Sequence, residues 1–456
     1  MLTNTHTYYS FKFGTWKPES LIKKALEWGY DSLCVTDINN TSACLDSMRL
    51  GQKHGLKVIP GVDFRNGVDQ QFVAIAKSNR GFENINRFLT KHLHSKEPIP
   101  ARAPEMEDVF IVYPFFKVLT HASGLDCSSF IGIQPYEASR LRFSSLRHQL
   151  GNLVMMPTVS FQSQRDFNAH RLLRAIDNNS LLSKLPKSEE GNPLHILVPK
   201  DELLDQYQEF PEIISNTQSL IKQCAVAFEF GDGIAPQNMS TYTGSKQGDY
   251  ERIQQLCEEN LAYRYPDIDD NITSRIEKEL EIIRDKDFMS YFLINHDIVS
   301  YARSKGYFYV GRGSGANSII AYLLRITDVD PIDLDLYFER FINLYRRNPP
   351  DFDIDFSWTD RDDITRYIFE RFPNSALLAT YSTFQYRAVV RELGKVFGLP
   401  KQEIDKLSKG HLNMSRLDKL SQLVLKYGSL IQDFPSHLSI HAGGILISEK
   451  PIEHYT

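Results

Sequence analysis

Apolar and polar positions alternate with two periods along the first third of the chain. The runs 31-DSLCVTD-37, 56-LKVIPGVDF-64 and 72-FVAIAK-77 are short and apolar, and read as buried strands. Between and after them, Pro18 to Trp28, Thr41 to Gly55 and 81-GFENINRFL-89 repeat apolar residues at helical spacing. Strands alternating with helices predict an α/β unit around a largely parallel sheet or barrel. The polar, proline-rich 95-SKEPIPARAPEMED-108 reads as a loop, and 152-NLVMMPTVSF-161 and a helix through 168-NAHRLLRAID-177 follow. A second boundary falls near 229-EFGDGIAPQNMSTYTGSKQGD-249, rich in Gly, Ser and Thr. Beyond it the helices lengthen: residues 274–306 are helical by period, with a break near Asp287. The strand 307-YFYVG-311, a glycine-rich turn and the helical 318-SIIAYLLRI-326 come next.

At 348-NPPDFDIDFSW-358 the alternation turns acidic. Asp351, Asp353 and Asp355 fall on one face of a strand, with Phe352, Ile354 and Phe356 on the other. Asp is a poor strand former and like charges on one face repel, so the arrangement needs a reason. Residues i and i+2 are separated by roughly 6.5 Å of backbone, so Asp351 and Asp353 can aim both carboxylates at one point. Hard divalent cations take such oxygens, and paired metals clamp phosphoryl displacements. The alternative is an edge strand whose acids face water, and Asp355 suits a supporting or solvated place better than that of a third ligand. The turn 311-GRGSGANS-318, between strand and helix, can converge backbone N–H groups on a phosphate, or can be a structural turn only. It lacks the Lys-Ser/Thr ending of a P-loop. Arg340, Arg346 and Arg347 in 336-LYFERFINLYRRNPP-350 bring phosphate-binding forks, or ordinary surface charge, close to it. The acids of 328-DVDPIDLD-335 flank a turn and a helix start.

Bulk properties exclude little. The 456 residues are 42% hydrophobic and 24% charged, ordinary for a soluble chain of several domains. A net charge of −5 does not exclude a local basic groove for nucleic acid. No apolar run could span a bilayer and no secretory leader is visible. Five scattered cysteines without a CxxC predict reduced, mostly buried thiols in a cytoplasmic protein.

The series GRGSGANS, 325-RITDVDPIDLDLYFERFIN-343 and PDFDIDF, then 379-ATYSTFQYRAVVRELGKVFGLP-400 and 441-HAGGILIS-448, resembles the bacterial C-family replicative DNA polymerase, the alpha subunit of DNA polymerase III. The resemblance covers most of the chain, strongly from about Ile276 onward. It implies an α/β and α+β multidomain fold: a PHP-like distorted α/β barrel, then a polymerase-beta-like nucleotidyltransferase palm with an inserted helical thumb. The implied boundaries are 1–225 for the PHP-like domain, 226–390 for the first part of the palm, 391–440 for the thumb and 441–456 for the return to the palm. Asp351 and Asp353 fall on two of three catalytic, metal-binding aspartates, and Gly313 and Ser314 on the triphosphate-binding pair, with Arg312, Arg340 and Arg346 as further phosphate ligands. The implied activity is DNA-directed DNA polymerase, transferring deoxynucleotides from their triphosphates to a primer 3′-hydroxyl with two Mg²⁺ ions. Arg387, Arg391 and Lys395 are expected on primer-template phosphates. Replicase subunits such as the sliding clamp and a proofreading exonuclease are the expected partners.

This chain departs from the family at Tyr309 and Val310 (usually Gly-Pro), at Asn317 (usually Gly) and at Leu344 (usually Pro). The implied PHP metal cluster is degenerate. Asn4 replaces the first histidine of a His-x-His pair, Ile38 replaces a histidine, and Thr158 and Ser160 occupy the late Asp-x-His pair. His6, Asp37 and Asp63 remain as a remnant, and loss of several ligands predicts a structural domain without metal. The third catalytic aspartate and the fingers are expected beyond Thr456, so the chain is expected to be a C-terminally truncated polymerase with little activity alone. A PHP-type phosphoesterase or exonuclease, and a non-catalytic scaffold, are the alternatives.

Overall fold

The computed structural model describes residues 1–117, 129–231, 233–234, 236–343, 345–346, 348–410 and 417–456. Its contacts divide the chain into two compact units, Met1–Phe230 with Ala379–Ile440 and Glu453–Thr456, and Gly231–Leu378 with His441–Ile452.

The first unit is built on β1 Leu2–Thr5, β2 Ser32–Val35, β3 Lys57–Asn66, β4 Asp69–Ala76, β5 Val109–Pro114, β6 Ser129–Ile133, β7 Leu153–Met155 and β8 Thr158–Val159. They form one sheet in the order β7-β6-β5-β4-β3-β2-β1-β8. As the alternating pattern predicts, most ladders are parallel, with antiparallel pairs only at β3–β4 and β4–β5. The two edge strands, β7 and β8, are separated in sequence only by Met156 and Pro157. Three Cα steps reach at most about 11 Å, so the sheet must curl until its edges approach, as a distorted barrel does. Thr3 Oγ1 donates to the Met155 carbonyl across that closure at 2.7 Å.

The helices of this unit start and stop where local chemistry tells them to. Pro18 opens Pro18–Glu27, the Ser78 hydroxyl caps Asn79–Ser95, and Gly55 closes Cys44–His54 at φ +81°. Helix Gln164–Asp177 packs not only on the barrel but also on Tyr386–Phe397 and Lys419–Ile431, sharing a core of Leu172, Leu173, Val389, Leu393 and Val424. The stretch carrying the expected thumb helices thus gathers with the barrel in one compact unit. Tyr8 and Tyr9, just past β1, meet Phe434 and Tyr381 edge-on.

The second unit packs Lys246–Arg264, Asp270–Asp285 and Met289–Ser304 around Ile319–Leu323 and the antiparallel pair β9 Tyr309–Arg312 and β10 Asp353–Phe356. Asp287, at φ +63°, supplies the expected break between two helices. The helix expected over 318–326 has only five residues. Arg325 turns to φ +59°, and Thr327 Oγ1 then donates to the Gly311 carbonyl at 2.9 Å, which folds the chain back onto β9. β11 Ser375–Thr383 and β12 Pro435–Ile447 form a further two-stranded sheet. Cys34, Cys44, Cys224 and Cys257 are free and buried; Cys127 lies outside the described residues. No helix among the described residues is long and apolar enough to cross a membrane.

Shared packing between barrel and C-terminal helices has a thermodynamic consequence. Leu393→Ala should destabilise the unit by about 2–5 kcal/mol. Its effect should couple to Leu172→Ala by more than about 0.5 kcal/mol in urea unfolding followed at Trp16 and Trp28. Strict additivity, or a barrel signal unmoved by Leu393→Ala, would refute the shared core.

Candidate functional site

In the second unit the acidic strand and the glycine turn are neighbours. β9 and β10 pair antiparallel with Asp353 opposite Arg312, Ile354 opposite Gly311, and Asp355 opposite Val310. Asp351, Asp353 and Asp355 are exposed, while Phe352, Ile354 and Phe356 turn toward the core. Phe352 stacks on Tyr291 at 5.4 Å and packs on Phe292 and Phe341. The Phe352 amide donates to the Tyr291 hydroxyl at 2.8 Å, which fixes the start of the strand.

The glycines are there for close approach. A Cβ on Gly311 would lie 2.0 Å from the Ile326 carbonyl oxygen, and one on Gly315 would lie 2.6 Å from the Phe352 ring. Gly313 adopts φ +75°, and its Cβ would meet Asp353 Oδ2 at 2.6 Å. The turn therefore presses its backbone against the acidic strand. The segment itself, Gly313–Asn317, is a short 3-10 turn, and the five-residue helix after it offers little dipole. Asn317, unusual at this position, donates from Nδ2 to the Ser314 carbonyl at 2.8 Å and so stiffens the turn from within.

Arg312 is held by acids, not presented alone. Its Nε donates to Asp355 at 2.6 Å and its Nη1 to Asp353 at 3.2 Å, with all three side chains about half exposed. Hydrogen bonding to Asp355, then the charges of Asp355 and Asp353, raise its pKa. Asp355 thus balances Arg312, a role its distance along the strand leaves open in sequence. Arg340 is exposed beside this region, whereas Arg346 turns onto its own loop, donating to the carbonyls of Phe341 and Asn348. Arg347 and Leu344 lie outside the described residues. Arg387, Arg391 and Lys395 form an exposed stripe on helix Tyr386–Phe397 of the other unit, where Arg391 approaches Asp405 and Lys395 pairs with Glu392.

Among the described residues no cluster of three or more His, Cys, Asp or Glu is disposed to hold a metal. Two exposed carboxylates on adjacent same-face positions still fit a hard divalent cation, which draws its remaining oxygens from water and phosphate. The donor set at Asp351 and Asp353 therefore suits the magnesium expected there.

The barrel mouth does not fit a metal. His6 and Asp37 follow the ends of β1 and β2, and Asp63 lies within β3, beyond its parallel pairing with β2. Each is engaged through at least one atom, while Asp63 Oδ1 and both ring nitrogens of nearby His195 are buried without a hydrogen-bond partner. Asp37 accepts from the Thr7 amide, the Thr7 hydroxyl and Ser10. Asp63 Oδ2 accepts from His6 Nε2 at 3.0 Å, Gln70 at 2.9 Å and Arg65 at 2.6 Å. The replacement residues close the net: Asn4 donates to Thr158 at 2.9 Å, and Ser160 meets His6 Nδ1 at 2.8 Å. Burial alone would push the Asp63 pKa up, but Arg65 and then His6 hold it well below the usual carboxylate range. Arg65 was not singled out from sequence, although it lies one strand period beyond Asp63. It supplies the positive charge that a cation would. A cavity of about 200 Å³ remains outside it, bordered by Gln70, Gln134 and His195. Burial lowers the His195 pKa to about 3, so that imidazole is neutral.

A curled, largely parallel sheet followed by a unit with paired aspartates and a glycine turn sets the frame for comparison with known proteins. Residues 251–456 match the family model described as the bacterial DNA polymerase III alpha NTPase domain, and residues 3–134 match the PHP domain. The chain is thus similar to the bacterial DNA polymerase III alpha family over its second part and to PHP domains over its first. It is 30% identical to the DNA polymerase III subunit alpha of Bacillus subtilis, over 98% of this chain and 44% of that protein. It is 28% identical to the error-prone DNA polymerase of Symbiobacterium thermophilum, over 99% and 48%. The DNA polymerase III subunit alpha of Escherichia coli K12 is also 28% identical, over 89% and 39%. The chain thus spans less than half the length of these relatives.

The barrel geometry predicts indifference to chelators. Thermal unfolding followed at Trp16 and Trp28 should not change with EDTA or added Mn²⁺. Arg65→Met should destabilise by about 3–5 kcal/mol, because it strands a buried carboxylate. The loss should shrink in an Asp63→Asn background. An EDTA-dependent fall in Tm, or equal losses in both backgrounds, would contradict the arginine's place.

Proposed function

We propose that this chain carries the nucleotide-binding and metal-binding half of a DNA-directed DNA polymerase palm. The observation that supports this reading most directly is the close approach of the glycine turn to Asp353, where even a Cβ on Gly313 would meet the carboxylate oxygen at 2.6 Å. A primer 3′-oxygen attacks the α-phosphorus of a deoxynucleoside triphosphate, the bond to the β-phosphate breaks, pyrophosphate leaves, and the hydroxyl proton passes to solvent. Asp351 and Asp353 would hold Mg²⁺, which when bound draws the reacting oxygens together and offsets their charge. The amides of Gly313 and Ser314 hold the leaving pyrophosphate, with Arg312 and Arg340 adding charge; Arg346 shapes the loop through its carbonyl contacts and reaches phosphate only by releasing them. Arg387, Arg391 and Lys395 grip primer-template phosphates without reading sequence, so DNA affinity falls with salt. Sliding clamp and proofreading exonuclease are partners of the assembled replicase in this reading. The barrel's part is structural in this reading, since Arg65 and Gln70 already hold Asp63 Oδ2 and Ser160 meets His6 Nδ1.

The test is Mg²⁺-dependent binding of a fluorescent deoxynucleoside triphosphate (mant-dATP) to the chain. Among the described residues Asp351 makes no ion pair, and Asp351→Asn should weaken Mg²⁺-dependent binding by about tenfold or more while leaving Tm within a degree or two. Binding that is independent of Mg²⁺ and untouched by this substitution would reject the site and favour a scaffold.

A further inference from the structure

Behind the glycine turn lies a buried ion pair that the reaction as described does not use. Glu279, on helix Asp270–Asp285, is wholly buried, an unusual place for a carboxylate without purpose. Arg275, one turn earlier, donates from Nε to Glu279 Oε1 at 2.7 Å. The other carboxylate oxygen accepts from the Ser318 hydroxyl at 2.7 Å and the Ile320 amide at 3.4 Å. Arg275 Nη2 then reaches the Asn317 carbonyl at 3.0 Å and the Leu336 carbonyl at 2.9 Å. Asn317 in turn holds the Ser314 carbonyl. A continuous chain of hydrogen bonds therefore runs from Glu279 through Arg275 and Asn317 to Ser314. A second branch fixes Ser318, whose hydroxyl caps the next helix through the Ala321 amide.

We propose that Glu279 and Arg275 are positioning residues that hold the Gly313–Ser318 turn in the shape that receives the nucleotide's phosphates. The inference rests on the reading of that turn given above. Neither residue touches the nucleotide; each acts through Asn317 and Ser318. The donors around Glu279 set how it must be charged to do this. Arg275, Ser318 and the Ile320 amide all donate, so only the carboxylate can accept from all three at once. Cys257 and Tyr265, the titratable groups facing it from Lys246–Arg264 and the residue that follows, are kept neutral by pKa values that burial raises.

Burial also raises the Glu279 pKa to about 7, with Arg275 opposing. An acid whose pKa rises on folding stabilises the fold fully below its unfolded value near 4.5, and that stability is lost as pH rises through about 7. Ionisation thus weakens the fold while completing the brace. Stability and nucleotide affinity move in opposite directions across neutral pH, which a merely structural carboxylate would not produce.

Mant-dATP with Mg²⁺ is titrated into the chain, its Glu279→Gln form and its Ser318→Ala form between pH 6 and 8, with thermal unfolding in parallel. Affinity of the unaltered chain should rise with pH while Tm falls. Glu279→Gln should bind about tenfold more weakly at pH 8, lose the pH dependence, and keep or gain Tm there. Ser318→Ala, which keeps the carboxylate and removes one donor, should also weaken binding, and decides the matter alone if Glu279→Gln does not fold. Binding by both variants within twofold of the unaltered chain overturns the inference while leaving the nucleotide site standing. Affinity and Tm falling together at every pH also overturns it. Absence of nucleotide binding by the unaltered chain removes the site itself, and the inference with it.

Discussion

Everything proposed for the palm depends on how closely two backbone segments approach. β9 and β10 are only four residues each. They stay paired because Gly311 lets β9 lie against the Ile326 carbonyl and Gly315 leaves room for the Phe352 ring. Side chains at those positions would overlap the Ile326 carbonyl and the Phe352 ring and push the segments apart. Gly311 and Gly315 act here through the volume they leave empty, and Gly313 also uses a backbone angle that other residues adopt only at a cost. The aromatic cluster of Tyr291, Phe292 and Phe341 anchors the same strand from the core side.

Much of this was legible in the chain. The two periods of the first third give the barrel's strands and helices, and the acidic alternation of residues 351–356 gives the inward and outward faces of β10. The break at Asp287 shows as a lapse in helical period. Other features left no local signal. The helix after the glycine turn ends early because Thr327 is drawn to Gly311, a tertiary contact that periodicity cannot contain. The shared core of Leu172 and Leu393 joins residues more than two hundred positions apart. Arg65 and Glu279 were passed over for a similar reason: a charged residue within an amphipathic pattern reads as a solvated one until its burial is known. Asn317 showed as a departure from the family's glycine, but only its bond to Ser314 explains the change.

The chain uses one pairing, aspartate with arginine, in two places with opposite results. Asp63 and Arg65 are buried, with His6 and Gln70 completing the carboxylate's partners. In that low-dielectric setting, removal of either partner leaves an uncompensated charge, so the pair is costly to break. Asp353 and Arg312 stand about half exposed, where water screens the attraction and an ion pair contributes about 0–1 kcal/mol. Such a pair opens readily when a divalent cation and a triphosphate offer each member a stronger partner. The same two side chains thus form a buried, locked pair in the barrel and a screened, exchangeable one in the proposed nucleotide site, and the difference lies in solvent access.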